Sequence, residues 1–400
     1  MKPQLLFVTD HLPFPADLDG STVINGNLLP WLSETFSIHY CCLENAHANK
    51  GAIEETQRYV ESLHIARPDN PSGPILGLRK LGRFLLGQPH ETEPVASREL
   101  RQTVIGLQRD NRIAAAWIDL HYHAPLIDCL EVPAIISPHD ARPLLYETFA
   151  ASRANRLAGL YYRLHARVLR RYEQRYFSRF DRILYVSGKD ADYAATYLPA
   201  TSIMAIPNGF DTRRMKAPTA IADPSSPRLV FSGNLDYKPN RDAAAFLCRD
   251  FMPAFLDSFP RARLTIVGNV DERWQEVYQS EATEFTGHVP DVVEELSRHD
   301  LYLCPLTSGA GFKNKILDAI AAGLPVIGTP ISFDGMVFNQ GKDVLICGTA
   351  SLRQEVARLL ESDTSRQMAA HAQDTLREHY SWESIAKRYI DTVHEVLGKS

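Results

Sequence analysis

Short apolar runs alternate with helical patterns along the whole chain, and this alternation limits the folds that it can adopt. Residues 5–8 are continuously apolar and residues 38–43 are apolar apart from His39, and the segments between such runs carry apolar residues at helical spacing. Continuously apolar strands are typical of parallel sheets covered on both faces. Because parallel strands need crossover connections, usually helices, the pattern predicts an α/β protein with doubly wound sheets.

The strand-like runs form two series. The first is predicted to build one sheet from residues 5–8, 38–43, 114–118, 134–137 and 183–186. The second is predicted to build another from residues 203–206, 229–232, 264–267, 301–304, 326–328 and 344–347. A chain of 400 residues fits two domains. The Pro- and Ser-rich stretch 216–227 is the predicted linker, and the chain begins to leave the first domain at the turn 207–209.

Charge and composition exclude several classes of protein. With 43 basic and 48 acidic residues, the chain has no overall positive charge that would favour nucleic acid as a partner. The six cysteines show no C-x-x-C spacing, so we expect reduced structural thiols and a cytoplasmic protein. The apolar run 5–8 is too short for a signal peptide, and no run approaches the roughly 18 residues that would span a bilayer. We therefore expect a protein that does not cross a membrane.

The segment 309–326 carries the strongest indication of a ligand site. A small-residue loop at Gly309 allows a ligand to approach backbone amides, and the following helix carries cations in its first turn. Asp318 lies three residues after Lys315 and therefore on the same helical face. This arrangement suits a molecule with phosphates at one end and hydroxyls at the other, such as a nucleotide-sugar. The alternative is a buried βα unit with an ordinary solvated lysine, since glycine-loop patterns also match by chance.

A second loop, at the start of the second series, carries another cation. Gly233 follows a predicted strand directly and permits close approach, and Lys238 is placed to reach a diphosphate. The alternative is a surface lysine before a helix. Two cations that converge on one pocket, Lys238 and Lys315, would stabilise a departing diphosphate, and Asp318 would accept hydrogen bonds from a ribose diol.

Polar residues also follow the strands of the first series. Gly20 and Ser21 open a helix whose amides would face a phosphate, although a plain loop is the alternative. His139 ends a strand, where a neutral imidazole would bond sugar hydroxyls or the reaction centre, or else satisfy loop backbone.

Two histidines in the first series have the spacing of a metal site. His121 and His123 follow Asp119, but no third ligand of suitable spacing accompanies them. We therefore expect no metal.

Two segments combine basic and apolar residues. Residues 70–94 are rich in Pro and Gly and are interpreted as a functional excursion from the first sheet. Residues 153–182 have the pattern of a long amphipathic helix with many arginines. This helix either packs its apolar stripe against the protein with its charged face in solvent, or it provides a surface for anionic lipid.

Several of these pieces occur in an order that resembles the retaining glycosyltransferases of family four. The matching pieces cover nearly the whole chain: the loop with Gly20 and Asn27, the strand end at His139 and Asp140, and residues 180–187, 206–211, 233–240, 287–289, 309–325 and 380–383. The resemblance implies the GT-B architecture, with two facing Rossmann-like doubly wound domains and a C-terminal crossover helix. It places an acceptor-side domain at residues 1–206 and a nucleotide-sugar-binding domain at 207–380. Residues 381–400 are then a helix that packs back on the N-terminal domain.

The resemblance also implies sugar transfer from a nucleotide-sugar with retained configuration, without a metal or other cofactor. Its implied catalytic residues are His139, which contacts the donor sugar, and Lys238 and Lys315, which neutralise the diphosphate. Its implied donor-binding residues are Gly20, Ser21, Gly233, Asn234, Gly311, Phe312, Asn314 and Asp318.

Three positions depart from the family pattern. Ala310 and Asp318 stand where the family often has two glutamates, and Asn234 stands where an arginine is common. The loss of a carboxylate at Ala310 leaves more of the donor contacts to the backbone amides of Gly311 and Phe312.

Two functions therefore remain open. The first is a cytoplasmic glycosyltransferase that uses a UDP- or GDP-sugar and a saccharide or lipid-linked acceptor in cell-surface polysaccharide synthesis, with peripheral contact at the inner face of the membrane. The second is a non-catalytic nucleotide-sugar-binding partner of another transferase, suggested by Ala310. The presence of both Lys238 and Lys315 favours the enzyme.

Overall fold

The computed structural model describes residues 2–16, 20–45, 48–69, 82, 89, 97–152, 156–219, 221–309, 312–362 and 364–398, without the side chains of Ser152 and Arg156. The predicted excursion at 70–94 lies almost wholly outside these residues, as do Ala310 and Gly311. The chain forms two compact units, one of Met1–Pro207 with Ile385–Ser400 and the other of Asn208–Ser384.

Each unit is built around a parallel sheet. In the described residues of the first unit the strand order is β3-β2-β1-β4-β5-β6-β7, with strands β1 Gln4–Val8, β2 Ser37–Leu43, β3 Ser62–Ala66, β4 Ile113–Asp119, β5 Ala134–His139, β6 Arg182–Tyr185 and β7 Ile203–Ala205. In those of the second unit the order is β10-β9-β8-β11-β12-β13, with strands β8 Arg228–Ser232, β9 Arg263–Val267, β10 Thr283–Gly287, β11 Leu301–Cys304, β12 Val326–Gly328 and β13 Leu345–Ile346. Both orders reverse direction beside the first strand of the sheet, as in doubly wound Rossmann-like folds.

Helices connect the strands. Those of the first part of the chain are α1 Gly20–Thr35, α2 Lys50–Gln57, α3 Arg98–Asp110, α4 Arg142–Ser152, α5 Arg156–Tyr176 and α6 Gly188–Ala195. Those that follow are α7 Lys238–Phe246, α8 Met252–Leu256, α9 Glu272–Tyr278, α10 Val292–Leu296, α11 Asn314–Ala321, α12 Leu352–Leu360, α13 Ser365–Tyr380 and α14 Trp382–Leu397. No helix among the described residues is long and apolar enough to cross a membrane.

Buried aromatic rings support the centre of the first sheet. Phe7 of β1 stacks on Tyr40 of β2 and also contacts Trp117 of β4, each with ring centroids 5.2 Å apart. Tyr389 of α14 stacks on the Trp117 ring at 5.1 Å. The part of α14 from Ile385 onward therefore belongs to the first unit, and Arg182 pairs there with Glu395 at 3.0 Å.

The predicted two-sheet α/β fold is confirmed, with three differences in detail. Residues 203–206 were assigned to the second sheet, but Ile203–Ala205 pairs with β6 at the edge of the first. The strands Ser62–Ala66 and Thr283–Gly287 were missed because charged and polar residues interrupt their apolar pattern. The predicted linker 216–227 begins inside the second unit, where the Lys216 amide donates to the Ala321 carbonyl.

The helix predicted over residues 153–182 ends earlier than predicted. The α-helix runs from Arg156 to Tyr176, and a short 3₁₀ turn separates it from strand β6, which begins at Arg182. Buried residues such as Leu169 and Tyr172 form its packed stripe.

Candidate functional site

The second unit has a cavity of about 230 Å³ at the carboxyl ends of its strands. It lies where the strand order reverses, next to β8, which is where open α/β sheets bind ligands. Loops after β8, β9 and β10 and the helices α10 and α11 supply its lining: Ser232, Gly233, Asn234, Val267, Gly268, Asn269, His288, Val289, Val292, Lys315 and Asp318.

Two glycines allow the backbone to close around this cavity. A Cβ atom on Gly268, whose φ is +136°, would lie 2.2 Å from the carbonyl oxygen of Gly233. A Cβ atom on Gly233 would lie 2.6 Å from Lys315 Nζ. Both contacts are shorter than real Cβ atoms make, so only glycine brings the ends of β8 and β9 and the lysine this close.

Lys315 lies in the first turn of α11 and is held from two sides. Its Nζ donates to Asn240 Oδ1 at 2.5 Å and lies 4.9 Å from the centroid of the Phe231 ring. Burial lowers the pKa of Lys315 to about 8, and the nearby Lys313 adds to this decrease. An anion next to Nζ would stabilise the charged form of Lys315 and raise this pKa again.

Asp318 lies one helical turn after Lys315 and also lines the cavity. Burial raises the pKa of Asp318 to about 6, although attraction from Arg214 opposes the increase. Arg214 in turn pairs with Asp291, the residue that caps α10, at 2.8 Å. The cavity thus presents a cation and an acid whose charged forms are both destabilised by burial.

The other predicted site residues of the second unit do not all lie at the cavity. Gly233 and Asn234 line the cavity, whereas Lys238 does not: its side chain is 77% exposed and its Nζ pairs with Asp242 at 2.5 Å. Asn314 begins α11 and is exposed, and the Phe312 ring packs against Tyr380 with centroids 5.6 Å apart. Gly311 lies outside the described residues.

The residues that support Lys315 were not among the site residues predicted from the sequence. Asn240 bridges two loops, since it donates to the Asn234 carbonyl at 2.8 Å while it accepts from Lys315. Phe231 precedes the glycine loop by two residues and supplies the ring under the ammonium group. No local pattern marks such partners, because they act across elements distant in sequence.

The first unit has a separate polar cluster at its own strand ends. Asp119, which ends β4, is 1% exposed and accepts hydrogen bonds on Oδ2 from Thr9 Oγ1 at 2.9 Å, Ser21 Oγ at 2.8 Å and Asn25 Nδ2 at 2.8 Å. Its Oδ1 lies 2.7 Å from His139 Nε2. Burial by itself would raise the pKa of Asp119, but His139 and the hydrogen bonds outweigh it and lower the pKa.

The structure brings two predicted residues, Ser21 and His139, together around Asp119. Gly20, which begins α1, does not contact the cluster, and a Cβ atom there would meet nothing within 4 Å. His139 has a φ of +67°, which is uncommon for a residue with a side chain.

The histidines considered for a metal have other contacts. His123 Nε2 lies 2.5 Å from Asp10 Oδ1, and His121 is fully buried. Within the described part of the chain, no three His, Cys, Asp or Glu side chains are grouped as metal ligands.

Comparison with known families agrees with this architecture. The model described as Glycosyl transferases group 1 matches residues 226–362, and the model described as Glycosyltransferase Family 4 matches residues 68–214. The solved glycosyltransferase from Rickettsia africae is similar with a TM-score of 0.67 and 11% identity over 100% of both chains. Alr3699/HepE from Anabaena, solved with UDP and glucose, gives a TM-score of 0.62 and 13% identity over 98% of this chain and 100% of its own.

Two curated relatives are similar in sequence over part of their length. Phosphatidyl-myo-inositol mannosyltransferase from Mycobacterium leprae is 28% identical over 207 residues, which is 49% of this chain and 54% of the relative. An uncharacterized 44.6 kDa protein in the cps region of Klebsiella pneumoniae is 23% identical over 178 residues, or 42% of this chain and 44% of the relative. The chain thus spans about half the length of the curated relatives it matches. The two matching family models and the shared architecture show that the chain belongs to the group 1 glycosyltransferases and has the GT-B fold.

Proposed function

We propose that this protein is a retaining, metal-independent glycosyltransferase that moves a sugar from a UDP- or GDP-sugar to a saccharide or lipid-linked acceptor in cell-surface polysaccharide synthesis. The observation that carries the proposal is Lys315, a half-buried cation at a strand-end cavity with Asp318 one helical turn away. A nucleoside diphosphate has the complementary chemistry, with phosphates for the lysine and a ribose diol for the acid.

Lys315 serves the bond-breaking step in this proposal. The bond between the anomeric carbon and the diphosphate oxygen breaks, and its electron pair leaves with the diphosphate. The acceptor oxygen forms the new bond to that carbon and gives its proton to a diphosphate oxygen. Lys315 stabilises the charge that develops on the leaving group, which is worth most in a buried site. Lys238 adds to this charge stabilisation once it exchanges Asp242 for the diphosphate.

The remaining predicted residues have proposed roles in donor binding. Asn234, Gly311, Phe312 and Asn314 contribute loop and helix-start groups to the diphosphate and sugar, and Gly233 permits the close approach. In the first unit, His139 contacts the transferred sugar, and Gly20 and Ser21 open the helix beside it.

Named relatives support the choice of substrates. The Anabaena structure holds UDP and glucose, and the Mycobacterium relative is a phosphatidyl-myo-inositol mannosyltransferase. The first supports a nucleotide-sugar donor and the second a lipid-linked acceptor for this chain.

Helix α5 supports peripheral contact with a membrane. Leu157 is 78% exposed, and Leu160 and Leu164 are exposed on the same helix. Arg163 and Arg167 are exposed beside them. Apolar and cationic side chains together favour an anionic lipid surface.

A thermal-shift panel of UDP, GDP, ADP and their common sugars, with magnesium or EDTA, tests the donor site. We expect one nucleotide to raise the melting temperature equally in magnesium and EDTA, since a ligand that binds only the folded state stabilises it by mass action. Lys315→Ala should abolish the shift. No shift with any nucleotide would contradict the proposed donor site.

The alternative is a non-catalytic partner that binds the nucleotide-sugar without transferring the sugar. The departure at Ala310 favours it. Incubation with the identified donor and a library of saccharide and lipid-linked acceptors separates the two functions. Product whose new linkage keeps the anomeric configuration by NMR supports the retaining enzyme, whereas binding without product in every case supports the alternative.

A further inference from the structure

Asp119 is the most completely hydrogen-bonded acid of the first unit's strand-end cluster. Three donors meet on Oδ2, from Thr9 at the end of β1 and from Ser21 and Asn25 on α1, and His139 meets Oδ1 from β5. Three separate elements therefore hold one buried carboxylate. A strand can end without a buried carboxylate that is held by three elements, so this arrangement indicates a further role for Asp119.

The orientation of Asn25 indicates that this carboxylate is ionised. Asn25 Nδ2 donates both to Asp119 Oδ2 at 2.8 Å and to Ser21 Oγ at 3.0 Å. Its Oδ1 is buried and has no hydrogen-bond partner among the residues that the structure describes. A buried unpaired carbonyl is unfavourable, and an anion that attracts the amide protons explains why the side chain nevertheless adopts this orientation.

An ionised Asp119 determines the protonation of the ring beside it. A carboxylate only accepts hydrogen bonds, so His139 Nε2 must carry a proton at its 2.7 Å contact with Oδ1. The adjacent negative charge also favours the imidazolium over the neutral ring.

The backbone conformation of His139 also indicates that the surrounding structure fixes the contact between its ring and Asp119. The register of β5 against β6 shifts between Ile136 and His139, and His139 adopts a φ of +67°. Left-handed backbone at a residue with a side chain is unfavourable and persists where the surroundings fix it.

We propose that Asp119 is a positioning residue for His139: it fixes the orientation of the ring, keeps the ring cationic at neutral pH, and holds the remaining proton on Nε2 when the ring becomes neutral at higher pH. The role of the ring in sugar transfer rests on the proposed function, whereas the state of the ring does not. The pair shares its surroundings with other ionisable groups: Tyr40 from β2, Tyr389 and Arg388 from α14, Asp10 and His123 from the ends of β1 and β4, and Asp140 and Asp190 after β5 and β6.

Among these groups, Asp119 is the acid whose oxygen lies within hydrogen-bond distance of the His139 ring. Burial raises the pKa of Tyr40 and of Tyr389 and keeps both neutral. Asp10 is matched by its own histidine, His123, at 2.5 Å. Burial raises the pKa of Asp190, and hydrogen bonds from Ser187 and from the Ala141 amide oppose this increase.

NMR of the ¹⁵N-labelled full chain tests the proposal without any activity measurement. His139→Gln assigns the resonance, and the ring nitrogen shifts report tautomer and protonation against pH. We expect a pKa above about 7 for His139 in the wild type and a decrease of about one unit or more in Asp119→Asn, as for loss of an adjacent opposite charge. Asp10→Asn is the matched control, since Asp10 contacts His123 instead, and it should leave the His139 titration unchanged.

Two results would overturn the proposal. One is a wild-type His139 that titrates below about 7, or whose neutral ring carries its proton on Nδ1, and this measurement stands even if Asp119→Asn does not fold. The other is an Asp119→Asn protein that folds and leaves the His139 titration unchanged.

A kinetic arm separates this proposal from the proposed function. With the identified donor and acceptor, the pH profile of kcat/KM should contain a step that follows the His139 pKa, shifts in Asp119→Asn and stays in place in Asp10→Asn. If the NMR results are as expected and the profile of kcat/KM lacks that step, the role of His139 in transfer is wrong while the positioning by Asp119 holds.

Discussion

The acids of the two strand-end clusters have pKa values that are shifted in opposite directions. Asp119 of the first unit is surrounded by donors, which lower its pKa below the ordinary value. Asp318 of the second unit lies beside a cavity, and burial raises its pKa to about 6. Lys315 in that cavity likewise has a pKa lowered to about 8.

The acid of the first cluster is paired with side chains of the protein, whereas the charged groups of the second cluster line a cavity. The first cluster supplies its own counter-charge and hydrogen bonds, so it is suited to hold a side chain in place. The second cluster leaves two charged groups poorly solvated, so a ligand that supplies phosphates and hydroxyls would relieve both.

Lys315→Ala should give the largest effect on activity. We expect turnover to fall by on the order of a hundredfold or more, because a cation that stabilises the departing diphosphate is lost. Steady-state transfer kinetics measure it, with the exposed Lys342→Ala as the matched lysine control. Wild-type turnover in Lys315→Ala would contradict the donor-site assignment.

Lys238→Ala sharpens the comparison of the two predicted lysines. Since Lys238 is exposed and paired with Asp242, we expect a smaller decrease in turnover than for Lys315→Ala. An equal decrease would contradict this order and mean that the two lysines contribute equally to stabilising the diphosphate.

Gly268→Ala should destabilise the second unit. The new Cβ would lie 2.2 Å from the Gly233 carbonyl oxygen, a backbone atom that cannot easily move. We expect a loss of about 2 kcal/mol or more in the free energy of unfolding, as for overpacking. Gly287→Ala is the control, since its φ is +67° but nothing lies within 4 Å, and it should cost about 1 kcal/mol. Equal losses in urea denaturation would refute the close approach of β8 and β9.

Asp119→Asn and Asp318→Asn should change stability in opposite directions. At pH 7 we expect Asp119→Asn to lower, and Asp318→Asn to raise, the free energy of unfolding, each by on the order of 1 to 2 kcal/mol. The signs follow from the pKa shifts. The lowered pKa of Asp119 stabilises the fold above its unfolded value of 3.8, and this contribution is lost as the pH falls through the folded pKa. The raised pKa of Asp318 destabilises the ionised form above about 6, and this cost disappears as the pH falls towards 3.8.

Urea denaturation at pH 7 and near pH 4 measures both variants. The advantage of Asp318→Asn should vanish near the lower pH, while its donor KM should be raised about tenfold at pH 7 through loss of a ribose contact. The contrast between the clusters fails if both variants shift stability the same way.

The pH dependence of donor use should reflect Lys315. We expect kcat/KM to fall above about pH 8, by up to about tenfold per pH unit, as Lys315 of the free enzyme loses its proton. A bound diphosphate favours the charged lysine, so the decrease in kcat should begin at higher pH. A kcat/KM profile that stays flat between about pH 7 and pH 9.5 would exclude a titrating Lys315.

Much of the fold could be predicted because its signals are local. The strands of both sheets that were found have continuous apolar runs, such as β1 and β11. Strand β3 was missed because His64 and Ser62 interrupt its pattern, and only its pairing with β2 makes it a strand. The sheet to which β7 belongs was likewise decided by its pairing with β6.

The sequence by itself determined the two doubly wound sheets and the common face of Lys315 and Asp318, because helical spacing places residues three apart on one side. The tertiary structure alone decided that His139 would meet Asp119 across neighbouring strands and that Asn240 and Phe231 would hold Lys315. The reason is physical: backbone periodicity is a property of neighbouring residues, whereas partners 20 or 75 positions apart meet only once strand order and packing are fixed.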